Sequence, residues 1–318
     1  MPRGLVLASV SRAFDLAEGE PLGHAMRSCA IGMAVAHALD LPAHESSDLF
    51  VALLLKDAGC SANAAAVARW FDADDRRAKH ALKVVDWSRP AEAIRCALRQ
   101  ARPGRPAPAR LAQWVRLGRR GTGLSRELTA LRCSHGAELV QTLGWAELAP
   151  AALLGLDEHW DGSGQPLGLA GDAVPILAQI CLLAQTAEVF RDRSGAAAAE
   201  TVRRRRRGTW FAPALVETAL GVLQGAGFWN AVDGLRRPAD LVPMDPDPRL
   251  VGCAGVGELS HLAAVFAVVV DAKSPWTKQH SSRVGTIARG LAGRLGLAEE
   301  RRSGCSSPDS STTSASWG

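Results

Sequence analysis

Residues 157–175 read DEHWDGSGQPLGLAGDAVP, with four glycines and two prolines in a short span. Glycine opens left-handed and closely packed backbone conformations, and proline withdraws an amide donor, so the stretch predicts an ordered loop and neither a helix nor a strand. Working outward, helical patterns are predicted over 124–143 and 175–190, then over 91–100, 110–117 and 212–224, with RPGRPAP as punctuation and GTGLS at 121 as a loop. Nearer the N-terminus, Met26, Cys29, Ala30, Met33, Ala34 and His37 fall at helical spacing. The run SSDLFVALLLKDAGC that follows predicts a buried helix with Ser46 and Ser47 as cap candidates, ended by Gly59 and closing on the polar pair Lys56-Asp57. There is no tyrosine and little apolar–polar alternation, so strand signals are weak. The predicted fold class is all-α.

The 318 residues suggest about two domains, and 47% hydrophobic content allows a sizeable core. A net charge of +5 permits phosphate-bearing partners without requiring them. Five arginines run from Arg203 to Arg207, but no helix-turn-helix or stacking motif accompanies them. A solvated helix start or loop is the favoured reading of that run, and nucleic-acid binding a weaker alternative. The seven cysteines are scattered and never form a C-x-x-C pair, which argues against a disulfide framework and against a zinc ribbon. No run approaches the roughly 20 apolar residues of a transmembrane helix, so the expectation is a cytoplasmic protein with no membrane partner.

A long-range regularity sets the domain organisation. Shifted by 256 residues, DLAEGEPLGHAMRSCAIGMAVAHALDL from Asp15 lies over DAKSPWTKQHSSRVGTIARGLAGRLGL from Asp271. Identities fall at Asp15/Asp271, His24/His280, Arg27/Arg283, Ile31/Ile287, Ala36/Ala292, Leu39/Leu295 and Leu41/Leu297. This predicts a duplicated unit: a first helical domain over 1–224, a linker region over 225–260, the start of a second, incomplete unit over 261–300, and a disordered Ser/Thr-rich tail over 301–318. The expectation at that end is a truncated or frame-shifted remnant of a longer ancestor.

Together, His24 on a first helix, a helix ending in LLLKDAG, the segment HGAELV and then EHWDGSGQPLGLAGDAVPILAQICLLAQTAEVF resemble the HD-GYP branch of the HD-domain phosphohydrolases. The loop keeps the family pattern at Trp160, Asp161, Gly162, Gly164, Pro166, Gly168, Gly171 and Pro175. The resemblance implies an HD-like helical bundle, tandem here, and hydrolysis of cyclic di-GMP by divalent metals such as iron or manganese. Such metals lower the pKa of a bound water and neutralise phosphate charge.

The implied ligand set is depleted. His24 and Asp57 stand at family ligand positions, with Asp157 and Glu158 as possible substitutes. Lys56 replaces the histidine of the His-Asp pair, Arg132 another histidine, and Leu156-Asp157 the paired histidines before the loop. Gln165 replaces the tyrosine of Gly-Tyr-Pro, and Gln185 an aspartate of the later helix. A lysine beside Asp57 puts a fixed positive charge where a cation would sit, and close repulsion between the two costs several kcal/mol. The expectation is a degenerate site with metal weak or absent. It would serve as a non-catalytic regulatory or dimerising module whose partner is a cyclic dinucleotide, a signalling protein or a second copy. The alternative is a working phosphohydrolase with a reduced metal site.

Overall fold

The apolar run forms α3 (Ala43–Leu55), in which every residue from Ser46 to Leu55 is buried. The structure is a computed structural model that describes residues 2–83, 85, 90–101, 106–244, 254–273 and 280–296. Around α3 pack α1 (Arg3–Glu18), α2 (His24–Ala38), α8 (Ala149–Leu154) and α9 (Ile176–Ser194). Leu49, Leu53, Leu54 and Leu55 each add roughly 1.5–3 kcal/mol through burial, which fixes the helix independently of its capping. The serines do not cap α3. The helix starts a turn earlier, after Pro42, and the Ser46 hydroxyl donates back to the Leu41 carbonyl at 3.3 Å.

After Asp57 the chain tightens into a 3-10 segment, Ala58–Asn63, and continues as α4 (Ala64–Phe71), α5 (Asp75–Leu82) and α6 (Pro90–Gln100). The next helix, α7 (Ala107–Leu143), merges two predicted helices and absorbs GTGLS, which the sequence reading made a loop. An interior glycine costs about 1 kcal/mol relative to alanine. Leu117 and Leu124, on either side of the glycines, are buried in a second apolar cluster with Val67, Phe71 and Ala78, and that packing holds the helix through them. The chain then runs through α8, the glycine loop, α9, α10 (Ala196–Arg205), α11 (Pro213–Leu223) and α12 (Phe228–Asp233). Among the described residues there is no strand; an isolated bridge joins Arg207 and Phe211, and the fold is all-α. The stretch Ala43–Phe71 is long and apolar enough to cross a membrane by composition, and most of it is buried within the bundle.

The arginine run is not one solvated patch. It spans the end of α10 and the turn beyond, where Arg203 and Arg206 are buried while Arg204, Arg205 and Arg207 face solvent. Arg206 lies 3.5 Å from the centre of the Trp210 ring, a cation–π contact made within the core.

Two final helices are α13 (Val256–Asp271) and α14 (His280–Arg294). Helix α14 repeats α2 at the offset of 256 in both its first and its last residue. The cap recurs too. Asp15 accepts the Gly23 and Ala25 amides at 2.8 and 3.2 Å, and Asp271 accepts the Ser281 amide at 3.0 Å. Ser281 is the counterpart of Ala25 at that offset. Helix α13 packs on the same bundle: Leu262, Val265 and Val269 join its core, the Phe14 and Phe266 rings stack at 5.8 Å, and Lys273 reaches Glu18 at 2.7 Å. Leu297, the tail over 301–318 and part of the linker region lie outside the described residues.

Candidate functional site

Helix α3 delivers Lys56 and Asp57 at its C-terminal end, and α2 brings His24 in its first turn. Both histidine nitrogens are engaged. Lys56 Nζ donates to His24 Nε2 at 2.8 Å and also to Asp57 Oδ2, while His24 Nδ1 meets Glu188 Oε2 from α9. The arrangement assigns the neutral tautomer, with Nε2 as acceptor and Nδ1–H as donor. The lone pair that would ligate a metal is therefore occupied by a lysine proton.

The cluster extends through side chains that carry its charge. Arg27, one turn into α2, donates Nε and Nη2 to Glu188 Oε1 at 2.8 and 2.6 Å. Lys83 Nζ lies 2.8 Å from Glu20 Oε1 and 3.5 Å from Asp57 Oδ1. Three cations, Lys56, Lys83 and Arg27, thus face three carboxylates, Asp57, Glu20 and Glu188. Burial alone would raise Asp57, but the Lys56 and Lys83 ammonium groups outweigh it and hold the group well below the usual carboxylate range. Glu188 is likewise pulled down to about 2, with burial opposing and His24 and Arg27 prevailing. Asp15, beneath the cluster, is pushed up to about 6 by burial, which the positive charges of the cluster only partly offset.

This donor set does not fit a divalent ion. His24 and Asp57, the two predicted ligands, do come together, with Nε2 and Oδ2 3.7 Å apart, but the Lys56 ammonium bonds to both of those atoms. Among the described residues, no group of three or more histidine, cysteine, aspartate or glutamate side chains is arranged to hold a metal. Both substitute candidates are committed elsewhere. Asp157 pairs with Arg132, and Glu158 accepts the Leu167 and Leu169 amides at 2.6 and 2.9 Å. His135, one turn from Arg132, sits 3.9 Å from Glu138 instead.

Those two amides belong to the glycine loop, so Glu158 clamps the loop from inside. Gly162, Gly168 and Gly171 adopt positive φ, the conformation for which the sequence supplied glycine. The Trp160 and Asp161 amides donate to the Trp210 and Thr209 carbonyls, and Arg126 Nε on α7 donates to the Pro166 carbonyl at 2.8 Å. His159 stacks on Trp210 at 4.1 Å, in the place where the resemblance leads one to expect arginine. The loop is a structural strap fastened to α7 and to the segment after α10.

Residues 91–205, from α6 to the end of α10, match the family model of the HD domain. A curated relative, the 3'3'-cGAMP-specific phosphodiesterase 3 of Vibrio cholerae serotype O1, is 32% identical over 304 residues, which is 95% of this chain and 65% of the relative. The chain spans just under two thirds of the curated relative it matches. A solved structure of a cyclic GMP-AMP-specific phosphodiesterase from V. cholerae aligns with a TM-score of 0.73 at 28% identity, covering 95% of this chain and 68% of that one. The HD-domain model matches a segment that excludes His24, Lys56 and Asp57. Sequence reading alone did not find Arg27, Lys83 or Glu20 in the cluster. Arg27 carried a signal, its recurrence as Arg283; Lys83 and Glu20 carried none.

Proposed function

We propose that this chain is a phosphohydrolase-family HD module that does no metal chemistry and instead regulates or dimerises, acting on a second HD-like unit that begins with α13 and α14. The observation that carries this reading is the Lys56 ammonium bonded to both His24 Nε2 and Asp57. It supplies in covalently tethered form the positive charge that a metal would otherwise bring. The contacts of α13 support the second half of the reading, because the Phe14–Phe266 stack and the Lys273–Glu18 pair give the first unit a direct mechanical hold on the second. The ligand sensed by such a pair of units is, on this reading, a cyclic dinucleotide, the class named for the relative.

The name of that relative also favours a second reading, metal-dependent hydrolysis by the chain itself, and elemental analysis separates the two. Protein purified without chelator, with Asp57→Ala beside it, is expected to hold no stoichiometric iron, manganese or zinc, and to leave 3'3'-cGAMP and cyclic di-GMP uncleaved. Near-stoichiometric metal lost in Asp57→Ala, together with turnover, would establish the hydrolase reading instead.

A further inference from the structure

We propose that the cavity between α5, α6 and the end of α9 binds a phosphate-bearing nucleotide through Arg95, Arg99 and Arg193. The cavity has a volume of about 640 Å³, within the roughly 300–1,000 Å³ of small-molecule sites and larger than an inorganic phosphate alone would need. Arg95 and Arg99 stand one turn apart on α6 and so share a face. Arg193 enters from the last turn of α9. Against these three guanidinium groups the lining sets one carboxylate, Glu92.

Among the described residues the lining is more basic than acidic, although Arg193 also feels the Glu20, Asp192 and Glu188 carboxylates behind it. Among the described residues, neither Arg95 nor Arg99 has a hydrogen-bond or ion-pair partner. Two exposed arginines at this spacing repel each other, and an anion between them removes that repulsion. Arg193 is fixed differently: its Nη2 donates to the His80 carbonyl at 2.5 Å, holding the guanidinium against α5 and leaving its remaining N–H groups for a ligand. Guanidinium forks match phosphate oxygens two at a time, which a lysine ammonium does not. Ala81 and Val85 supply an apolar wall against which a base can lie.

The cavity is separate from the His24–Asp57 cluster, because none of the cluster's residues lines it. The proposal therefore stands whether or not that cluster is catalytic. The two are neighbours all the same: His80, beside Arg193, reaches to within 3.9 Å of Glu20, the partner of Lys83.

The test is calorimetric titration of the full chain with guanosine 5'-monophosphate, with 3'3'-cGAMP and with inorganic phosphate. The variants are Arg95→Ala/Arg99→Ala, Arg193→Met, Asp57→Asn and, as a control for general charge, Arg119→Ala on the exposed face of α7. Circular dichroism reports whether each variant keeps its helices. The expected result is nucleotide binding that falls about tenfold or more in the double variant, as loss of charge-assisted hydrogen bonds implies, falls also in Arg193→Met, and is unchanged in Arg119→Ala. Failure of wild type to bind either nucleotide would overturn the proposal. So would an equal loss in Arg119→Ala, or binding lost in Asp57→Asn but kept in the double variant, which would place the ligand at the central cluster. Affinity for the nucleotides no better than for inorganic phosphate would overturn the nucleotide assignment.

Discussion

Replacing Lys56 with methionine removes a buried ammonium while keeping most of its stem. Asp57 would then retain Lys83 Nζ, 3.5 Å from Oδ1, and the Cys60 thiol, which donates to the same oxygen at 3.6 Å. Removing one partner of a buried ion pair costs about 3–5 kcal/mol, because the other charge stays in a poorly solvated site. The surviving Lys83 contact places this case near the lower end, about 3 kcal/mol. At roughly 2 °C per kcal/mol for a chain of this size, the Tm should fall by about 6 °C. Equilibrium denaturation of wild type, Lys56→Met, Asp57→Asn and the double variant closes a cycle. The double variant buries neither charge, so it should be more stable than the sum of the single losses implies, by about 1 kcal/mol or more. A Lys56→Met protein within about 0.5 kcal/mol of wild type, the usual range of an inert surface change, or strictly additive losses would refute the claim that this pair replaces a metal as the site's charge balance.

Two further substitutions probe the frame and the charges of the same site. Gly59 lies where the 3-10 segment crosses α7, and a Cβ there would stand 2.0 Å from the Arg132 carbonyl oxygen and 2.7 Å from the Gly136 nitrogen. These are backbone atoms that cannot swing aside, so Gly59→Ala should cost about 3 kcal/mol or more, the upper range for overpacking; unchanged thermal denaturation would show that the close approach is not obligatory. Glu188 has a folded value of about 2 against an ordinary 4.5, so its contribution, roughly 3 kcal/mol, is complete above about pH 4.5 and is lost as pH falls toward 2. The stability advantage of wild type over Glu188→Gln should therefore shrink between pH 5 and pH 3 in parallel denaturation series. A flat difference across that window would remove the ion-pair account of Glu188.

The parts of this structure that could be read from the sequence are those whose causes are local. Loop 157–175 was legible because positive φ and missing amide donors are properties of single residues, and Gly162, Gly168 and Gly171 adopt the conformations that glycine permits. The burial of α3 was legible from its unbroken apolar run. Helix α7 was not, because what carries it across its glycines is tertiary, the burial of Leu117 and Leu124 against Val67 and Phe71. In the arginine run, Arg203 and Arg206 are three apart and face the core together. That spacing was available, but charge counting concealed it. Glu188 and Arg27 meet across 161 positions of sequence, a separation at which neither periodicity nor capping gives any signal.

The site illustrates why an exchanged charge is harder to reverse than a lost ligand. Restoring histidine at position 56 would remove the ammonium and add one imidazole, but His24, the new histidine and Asp57 would still be only three donors, with no further carboxylate free to join them. Glu188 would still be held by Arg27, Asp157 by Arg132, and Glu158 by the two amides of the strap. Each of these carboxylates has a partner whose removal would expose an unbalanced buried charge or free the loop, at a cost of at least 1–3 kcal/mol each. Binding of an ion to those three donors would have to exceed the sum of those costs before further ligands could turn toward it. The cluster is thus a stable arrangement in its own right, and the proposed arginine-lined ligand cavity beside it does not draw on its charges.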